Sequence, residues 1–290
     1  MKRFLARQAV RLVVGVCGAV AAAAVISAIG EPRSPGLPGL LMAVASRFVH
    51  FAHLDLGQSA ISGLPVLQEL AERLPPTLAL VAMCAGVALI VGMPLGLLFS
   101  IGPARRVAAP LLQLITATPV FCAGLALAYA AVHVLHWPVS INVMVGAEPP
   151  PGMEWQYAAL PILTVGLAGA AAVQLALRRA AAQASGESFR TGLKQMGLSG
   201  FEIERVYVVP QVLAGLVSSA GEIMLALLSA AVVAEWVFHR AGAADLFVKS
   251  VALADWNMTA MILFVFAMLS FIVEFLGRVF GFLFANEGRG

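Results

Sequence analysis

Long apolar runs occupy most of this chain, and they constrain its fold more than any other feature. Hydrophobic residues make up 61% of the 290 residues, and charged residues make up only 11%. Soluble domains carry about 25% charged residues, so the composition indicates an integral membrane protein. The alternation over about ten residues that marks a membrane β-barrel is absent. We therefore predict an all-α membrane protein.

Six of these runs are long enough, or nearly so, to cross about 30 Å of hydrocarbon as helices rising about 1.5 Å per residue. The first run is about 18 residues, longer than the 7–15 residues of a cleaved signal core, so we expect a retained span. The six predicted transmembrane helices are Leu12–Ile29, Thr77–Ser100, Ala108–Leu135, Ala158–Leu177, Val212–Val233 and Met258–Phe280.

The distribution of positive charge predicts the orientation of these spans. If the connections alternate between the two sides, 13 of the 18 Lys and Arg residues lie on the side that holds both termini. Cytoplasmic loops carry an excess of Lys and Arg, so both termini and the 178–211 loop are expected in the cytoplasm. The 137–157 loop has neither Lys nor Arg, which is typical of the outer side.

The chain divides into an N-terminal span (1–30), an extracytoplasmic connection (31–76), a core of five spans (77–283) and a short cytoplasmic tail (284–290). The connection is rich in Pro and Gly after Glu31. Its stretch Leu40–His53 is apolar enough to lie along the membrane interface as a short helix.

One polar segment, 186–210, interrupts the apolar pattern on the predicted cytoplasmic side. Ser188–Gln195 predicts a short amphipathic helix, with Phe189, Leu193 and Met196 on one face and Arg190 and Lys194 on the other. Gly197 is placed to end that helix, and Pro210 to begin the next span. An amphipathic connector and a docking element for a soluble partner both fit this pattern.

The same segment resembles the cytoplasmic loop of ABC importer permeases, in which a Gly is followed thirteen residues later by a Pro, as Gly197 and Pro210 are here. The first-subunit form of the dipeptide, oligopeptide and nickel permeases is the nearest resemblance. Further stretches agree with it in order along the chain: Asp55-Leu-Gly-Gln-Ser, Thr118-Pro-Val-Phe-Cys-Ala-Gly, Leu160-Pro-Ile-Leu-Thr and Ala231-Val-Val-Ala-Glu-Trp-Val-Phe.

The chain also departs from the family pattern. Thr191-Gly192-Leu193 stands where the family has Glu-Ala-Ala, and Ala241 and Asn257 replace two prolines of the outer hairpin. These departures leave the permease resemblance intact and weaken any transfer of substrate.

The resemblance implies the ABC type I importer permease fold in a bacterial inner membrane. It also implies a second, similar permease, two cytoplasmic ATPases and an extracytoplasmic substrate-binding protein. This chain contains no GxxxxGK[ST] phosphate loop, so ATP and Mg²⁺ are expected in the ATPases, and no cofactor, nucleic acid or catalytic residue is expected here. The residues expected to couple the permease to an ATPase are Glu187, Phe189, Arg190, Leu193, Lys194, Met196, Gly197, Leu198 and Pro210.

Three acidic residues, Glu222, Glu235 and Glu274, lie in or beside predicted spans, where a carboxylate costs about 2.5–3.5 kcal/mol. We expect structural pairing for Glu235 and Glu274, with an Arg of the partner permease as one option. Glu222 is a candidate for the translocation path.

Other reactive side chains fit structural roles better than chemical ones. Cys17, Cys84 and Cys122 are expected to be buried and inert. The pairs His50/His53 and His133/His136 have a spacing that could hold a metal, although no metal site is predicted. All four tryptophans lie at predicted outer span ends, as in an interfacial belt: Trp137, Trp155, Trp236 and Trp256.

The function that these observations favour is an ABC importer permease for peptides or related small solutes. A nickel or metal-complex importer and an ATPase-independent secondary transporter are the alternatives. A secondary transporter would show matching interrupted spans in two halves, and no such symmetry is visible. An intramembrane enzyme would need a nucleophile–base or metal pair within the spans, and the sequence offers none.

Overall fold

The computed structural model describes residues 2–29, 42, 44–49, 57–101, 118–137, 154–184 and 187–287. Most of these residues are helical and none lies in a β-strand; an isolated bridge joins Gln58 and Pro65. The all-α prediction is therefore confirmed. The helices are α1 (Lys2–Ile29), α2 (Val66–Ile101), α3 (Val120–His133), α4 (Glu154–Ala184), α5 (Glu187–Gln195), α6 (Gly200–Glu202), a π-helical segment (Ile203–Val208), α7 (Val209–Ser218), α8 (Ala220–Val237), α9 (Ala243–Ala252) and α10 (Trp256–Glu287).

Five of the described helices are long and apolar enough to cross a membrane. Their candidate membrane spans are Phe4–Ala28, Val66–Leu97, Tyr157–Ala184, Ala220–Val237 and Trp256–Phe284. Of the third predicted span, Ala108–Leu135, the structure describes the shorter apolar helix α3. Residues 108–117 of that span lie outside the described residues. Residues 44–49 are helical within the predicted interfacial stretch, most of whose other positions also lie outside.

Two predicted boundaries differ from the structure. Helix α2 begins at Val66, eleven residues before Thr77, and continues through Pro75 and Pro76. The predicted span Val212–Val233 is interrupted at Ser219, whose φ of −96° and ψ of 9° separate α7 from α8. Ser218 and Ser219 each donate a side-chain hydrogen bond to a carbonyl four residues earlier, at 2.8 and 3.1 Å. Such back-bonding bends helices, and here it accompanies the break.

Contacts between helices define two ends of the bundle. Helices α1 and α10 are antiparallel, because Phe4 stacks on Phe282 with ring centroids 4.2 Å apart, whereas Ser27 Oγ donates to Asn257 Oδ1 over 2.7 Å. The Phe4 end, called the basic end below, also holds the end of α4 with Arg178 and Arg179. Trp137 and Trp155 contact each other edge to face, 5.1 Å apart, where α3 ends and α4 begins, at the opposite end.

The core lies where α2, α4 and α8 meet. Helices α2 and α4 run in parallel. Cys84 Sγ of α2 donates to the Ile162 carbonyl of α4 over 3.6 Å, and more than three turns further along both helices Gly96 packs on Leu177. A Cβ added at Gly92 would come within 2.8 Å of the Ala170 carbonyl oxygen, so the absence of a side chain permits this close packing. Cys84 is buried as expected, whereas Cys17 and Cys122 are exposed on helix surfaces, so burial was predicted wrongly for those two.

The backbone at the opposite end is held by two buried carboxylates. Glu235 is 1% exposed and accepts hydrogen bonds from Thr77 Oγ1 at 2.7 Å and from the amides of Ala244 and Asp245 at 3.0 Å. It therefore caps the first turn of α9 from another helix, where the helix dipole also favours a negative charge. The contact ties together α2, α8 and α9.

Asp255, which is fully buried, supplies the second anchor. One carboxylate oxygen accepts from Ser59 Oγ at 2.5 Å and from the Ala60 amide at 3.0 Å, while the other accepts from the Met258 amide at 3.1 Å. The side chain thus caps the start of α10 and holds the turn that precedes α2 against it.

We expect Glu235→Ala to lower the free energy of unfolding by about 3 kcal/mol, because three buried donors lose a charged acceptor. Chemical unfolding of the purified chain in detergent measures the change. Glu72→Ala, which removes an exposed acid from α2, is the matched control and should stay within about 0.5 kcal/mol of the parent. Equal effects of the two substitutions would contradict the capping role.

Candidate coupling segment and its acidic neighbours

Helix α5 (Glu187–Gln195) ends in a hydrogen-bonded turn centred on Gly197. The Leu198 amide donates to the Leu193 carbonyl at 3.3 Å, and the Gly197 amide donates to the Lys194 carbonyl at 3.0 Å. This pair of bonds is a Schellman motif, which needs a left-handed residue, and Gly197 has a φ of +86°. The prediction that Gly197 ends the helix is confirmed.

The apolar contact that accompanies this motif fixes the turn to the bundle. Leu193 and Leu198 are both half-buried and pack against one core cluster, whose members include Leu177 of α4 and Val208 and Val212 around the start of α7. The turn therefore packs against a core cluster to which α4, the π-helical segment and α7 contribute. Leu198 thus has a defined packing role.

A second cap follows immediately. Ser199 Oγ accepts from the Glu202 amide at 3.2 Å, and Glu202 Oε2 accepts from the Ser199 amide at 2.9 Å, which together form a capping box. The hydrogen bonds from the Ser199 backbone and side chain lower the pKa of Glu202. Because this pKa is depressed in the folded state, the cap stabilises the fold fully at pH values above the ordinary glutamate pKa. That stabilisation is lost as the pH falls through the folded-state pKa. The Ser-x-x-Glu signature was visible in the sequence and was not used.

The chain then continues without a break into the membrane. The π-helical segment Ile203–Val208 leads directly into α7, and Pro210 stands in the first turn of that helix. Pro210 lies in the first turn of α7, as predicted, but the helical backbone is continuous from Gly200 through this turn. Pro210 lacks an amide donor, so a widened turn before it costs few backbone hydrogen bonds.

Exposure within the segment differs from the predicted amphipathic face. Met196 lies on the Schellman turn and is 79% exposed, so it does not share the buried face of Leu193. Phe201, which lies five residues later and was not among the predicted anchors, is 73% exposed. Lys194 is exposed as expected. The side chains of Glu187, Phe189 and Arg190 lie outside the described residues, so their predicted contacts are not placed.

The three membrane acids have three different surroundings. Glu274 pairs with Arg278 one turn later on α10 at 2.6 Å, which places its partner within the chain. Glu235 is buried and accepts hydrogen bonds from uncharged donors of its own chain, and its pairing with an arginine of a partner permease stays a prediction. Glu222 pairs with Arg179 of α4 at 2.7 Å, and both side chains remain more than half exposed.

The Arg179–Glu222 pair lies in an open cleft at the basic end. This inner cleft has a volume of about 1320 Å³ and is lined by α1, α4, α7 and α10 together with Glu222 of α8. Pro210 and Gln211 of α7 form part of its wall. Glu222 therefore faces this opening, and its role in a translocation path stays a prediction.

The histidine pairs gain no metal-binding geometry from the part of the chain that the structure describes. His133 packs on Tyr129 with ring centroids 4.3 Å apart, and His136 Nδ1 lies 3.4 Å from the Val132 carbonyl oxygen. No three His, Cys, Asp or Glu side chains among the described residues are grouped as metal ligands. His50 and His53 lie outside them.

The chain is similar to permease proteins of known transport systems. It is 24% identical over 254 residues to the peptide transport system permease protein SapB of Salmonella typhimurium strain LT2, covering 79% of each chain. The putrescine export system permease protein SapB of Escherichia coli K12 matches over the same length at the same identity. The glutathione transport system permease protein GsiC of Escherichia coli O6:H1 is 28% identical over 205 residues, covering 70% of this chain and 64% of the relative.

Residues 87–283 match the family model described as binding-protein-dependent transport system inner membrane component. That range includes the coupling segment, the break at Ser219 and the three membrane acids. The chain belongs to this family, and it is a membrane permease subunit of a binding-protein-dependent transport system.

Proposed function

We propose that this chain is one of two permeases of an ATP-driven importer for peptides or related small solutes. Two cytoplasmic ATPases drive it, and an extracytoplasmic binding protein delivers the substrate. The basic end faces the cytoplasm, because it belongs to the side that carries most of the Lys and Arg residues, and cytoplasmic connections are enriched in these residues. Both termini are cytoplasmic, and α3 completes a set of six membrane helices.

The turn at Gly197 is the observation that carries the coupling proposal. The Schellman bonds and the capping box of Ser199 hold the segment from Leu193 to Glu202 in one conformation. Leu193 and Leu198 pack that conformation against the core cluster to which α4 and α7 contribute. A rigid element attached to membrane helices can transmit a displacement from a soluble partner, whereas a slack loop would absorb it.

The contact with the ATPase is assigned to the residues that the bundle leaves exposed. Met196 and Phe201 present large apolar side chains to solvent at 79% and 73% exposure, and Lys194 adds a peripheral charge. Apolar anchors in a groove contribute most of the energy of such contacts, whereas exposed ion pairs contribute about 0–1 kcal/mol. Glu187, Phe189 and Arg190 of α5 remain candidates for the same surface.

The substrate class rests on the relatives. Two of the named relatives transport peptides or glutathione, which is itself a tripeptide, and a third is named for putrescine export. Peptide-like solutes are therefore the first choice. A nickel or metal-complex importer and an ATPase-independent secondary transporter are the alternatives.

The substrate and energy source can be measured together. We expect proteoliposomes holding this chain, its partner permease, both ATPases and the binding protein to accumulate a labelled small peptide only when ATP is supplied to the ATPase side. Putrescine and Ni²⁺ serve as competing solutes. ATP-independent uptake by the chain alone, or ATP-driven uptake restricted to a competitor, would refute the proposal in distinguishable ways.

The exposed apolar pair gives a direct test of the docking surface. We expect the double substitution Met196→Asp/Phe201→Asp to weaken binding of the ATPase at least about tenfold, because charges replace two anchors of about 1 kcal/mol or more. Co-purification and titration with the isolated ATPase measure this. Leu253→Asp places a single negative charge on an exposed leucine at the opposite end (61%) and should leave ATPase binding unchanged. Unaltered binding by the double variant would exclude this surface.

The turn itself can be tested at one position. We expect Gly197→Val to abolish ATP-driven transport while the protein still inserts, because a β-branched residue is strained at a φ of +86°. Gly197→Asn is the matched control, since asparagine tolerates the left-handed region and should retain much of the transport. Transport by the valine variant at the parental rate would contradict the coupling role.

A further inference from the structure

Two openings follow one another along the groove between α1 and α8. The inner cleft lies at the basic end, and an apolar cavity of about 520 Å³ lies nearer the opposite end, lined by Ala22 and Ile26 of α1, Leu225 and Ser229 of α8 and Leu263 of α10 among others. Glu222 in the cleft and Leu225 in the cavity are less than one turn apart on α8. Helix α10 forms the floor of both openings.

The inner cleft carries an excess of positive charge. Arg7 and Arg11 lie one turn apart on α1 and line it, as do Arg179 and Arg278. Arg179 is paired with Glu222, and Arg278 is paired with Glu274. Arg7 and Arg11 are exposed and have no acidic partner within the part of the chain that the structure describes. Two guanidinium groups are thus left facing the cleft from the same side of α1.

The residues of α1 that line the two openings change from polar to apolar over a distance that matches the headgroup and acyl chain of a lipid. The stripe of α1 that faces the groove contains Arg7, Gln8 and Arg11 near its start and only small or apolar residues from Ala19 to Ile26. From Arg11 to Ala22 the helix rises about 16 Å at about 1.5 Å per residue. One leaflet contributes about 15 Å of hydrocarbon, half of the total core thickness of about 30 Å.

We propose that this groove binds an anionic phospholipid of the inner leaflet, with its phosphate at Arg7 and Arg11 and an acyl chain in the apolar cavity. Arginine recognises phosphate through two parallel hydrogen bonds, and the cytoplasmic leaflet holds the anionic lipids. A free phosphate would leave the apolar half unoccupied, and an apolar partner helix would leave the two arginines without an anion. The proposal depends on the orientation given above and not on the substrate.

Native mass spectrometry of the purified full chain, titrated with phosphatidylglycerol or phosphatidylcholine, tests this binding. We expect preferential binding of phosphatidylglycerol and a loss of about 30-fold in its affinity in Arg7→Gln/Arg11→Gln, equivalent to about 2 kcal/mol for two arginines. Arg178→Gln/Arg205→Gln removes two charges from the same end outside the cleft and should change the affinity no more than about twofold. Equal binding of the two lipids, or equal losses in the two double variants, would overturn the proposal.

A second variant separates a lipid from a soluble anion. Ala22→Trp fills the apolar cavity and leaves the arginines in place, so it should weaken phosphatidylglycerol binding without changing the binding of glycerol phosphate. Equal binding of both probes by this variant and the parent would refute the acyl-chain assignment.

Crosslinking in cells identifies the natural occupant. A photo-crosslinking amino acid at Leu225, which is 52% exposed in the cavity, should yield a phospholipid adduct. An adduct with the partner permease instead would show that a protein covers the groove, and the lipid proposal would fail.

Discussion

A polypeptide inside hydrocarbon must satisfy its own backbone hydrogen bonds, and this requirement determines where the chain places its few polar residues. At the opposite end, the first turn of α9 is satisfied by Glu235, and the start of α10 by Asp255. At the helix break around Ser219, serine hydroxyls bond to carbonyls of the preceding turn. Glu235 and Asp255 therefore mark points where the helical backbone stops and restarts, and transport chemistry is not needed to account for Glu235.

The same requirement explains a departure from the family pattern. The family resemblance predicts a proline where Asn257 stands, and the Asn257 side chain accepts a hydrogen bond from Ser27 of α1 and donates one to the Gln58 carbonyl at 3.4 Å. Proline could make neither contact, because it has no polar side chain. The substitution thus couples the N-terminal helix to the turn that precedes α2, at the end where Asp255 already holds that turn.

Local patterns in the sequence predicted the helical spans, the end of α5 at Gly197 and the place of Pro210 in the first turn of α7, because each depends on residues within a turn or two. The Ser199–Glu202 cap belonged to the same class and was overlooked. Contacts between distant segments could not be predicted in this way. Thr77 and Glu235 are 158 residues apart, and the exposure of Met196 depends on how the turn packs against α4 and α7. The break at Ser219 was missed because an uninterrupted apolar run gives no sign of it.

Helix α7 connects the proposed coupling segment around Gly197 with the inner cleft. Val208 and Val212, at its start, belong to the cluster that holds Leu193 and Leu198, whereas Pro210 and Gln211 line the inner cleft. A displacement of the segment around Gly197 therefore acts on the helix that forms the wall of the cleft. The backbone leaves helical geometry at Ser219, immediately before α8, and residues at element ends are where such displacements are absorbed. Motion imposed at the coupling segment would then reshape the cleft while Glu235 keeps the far end of α8 fixed to α2 and α9.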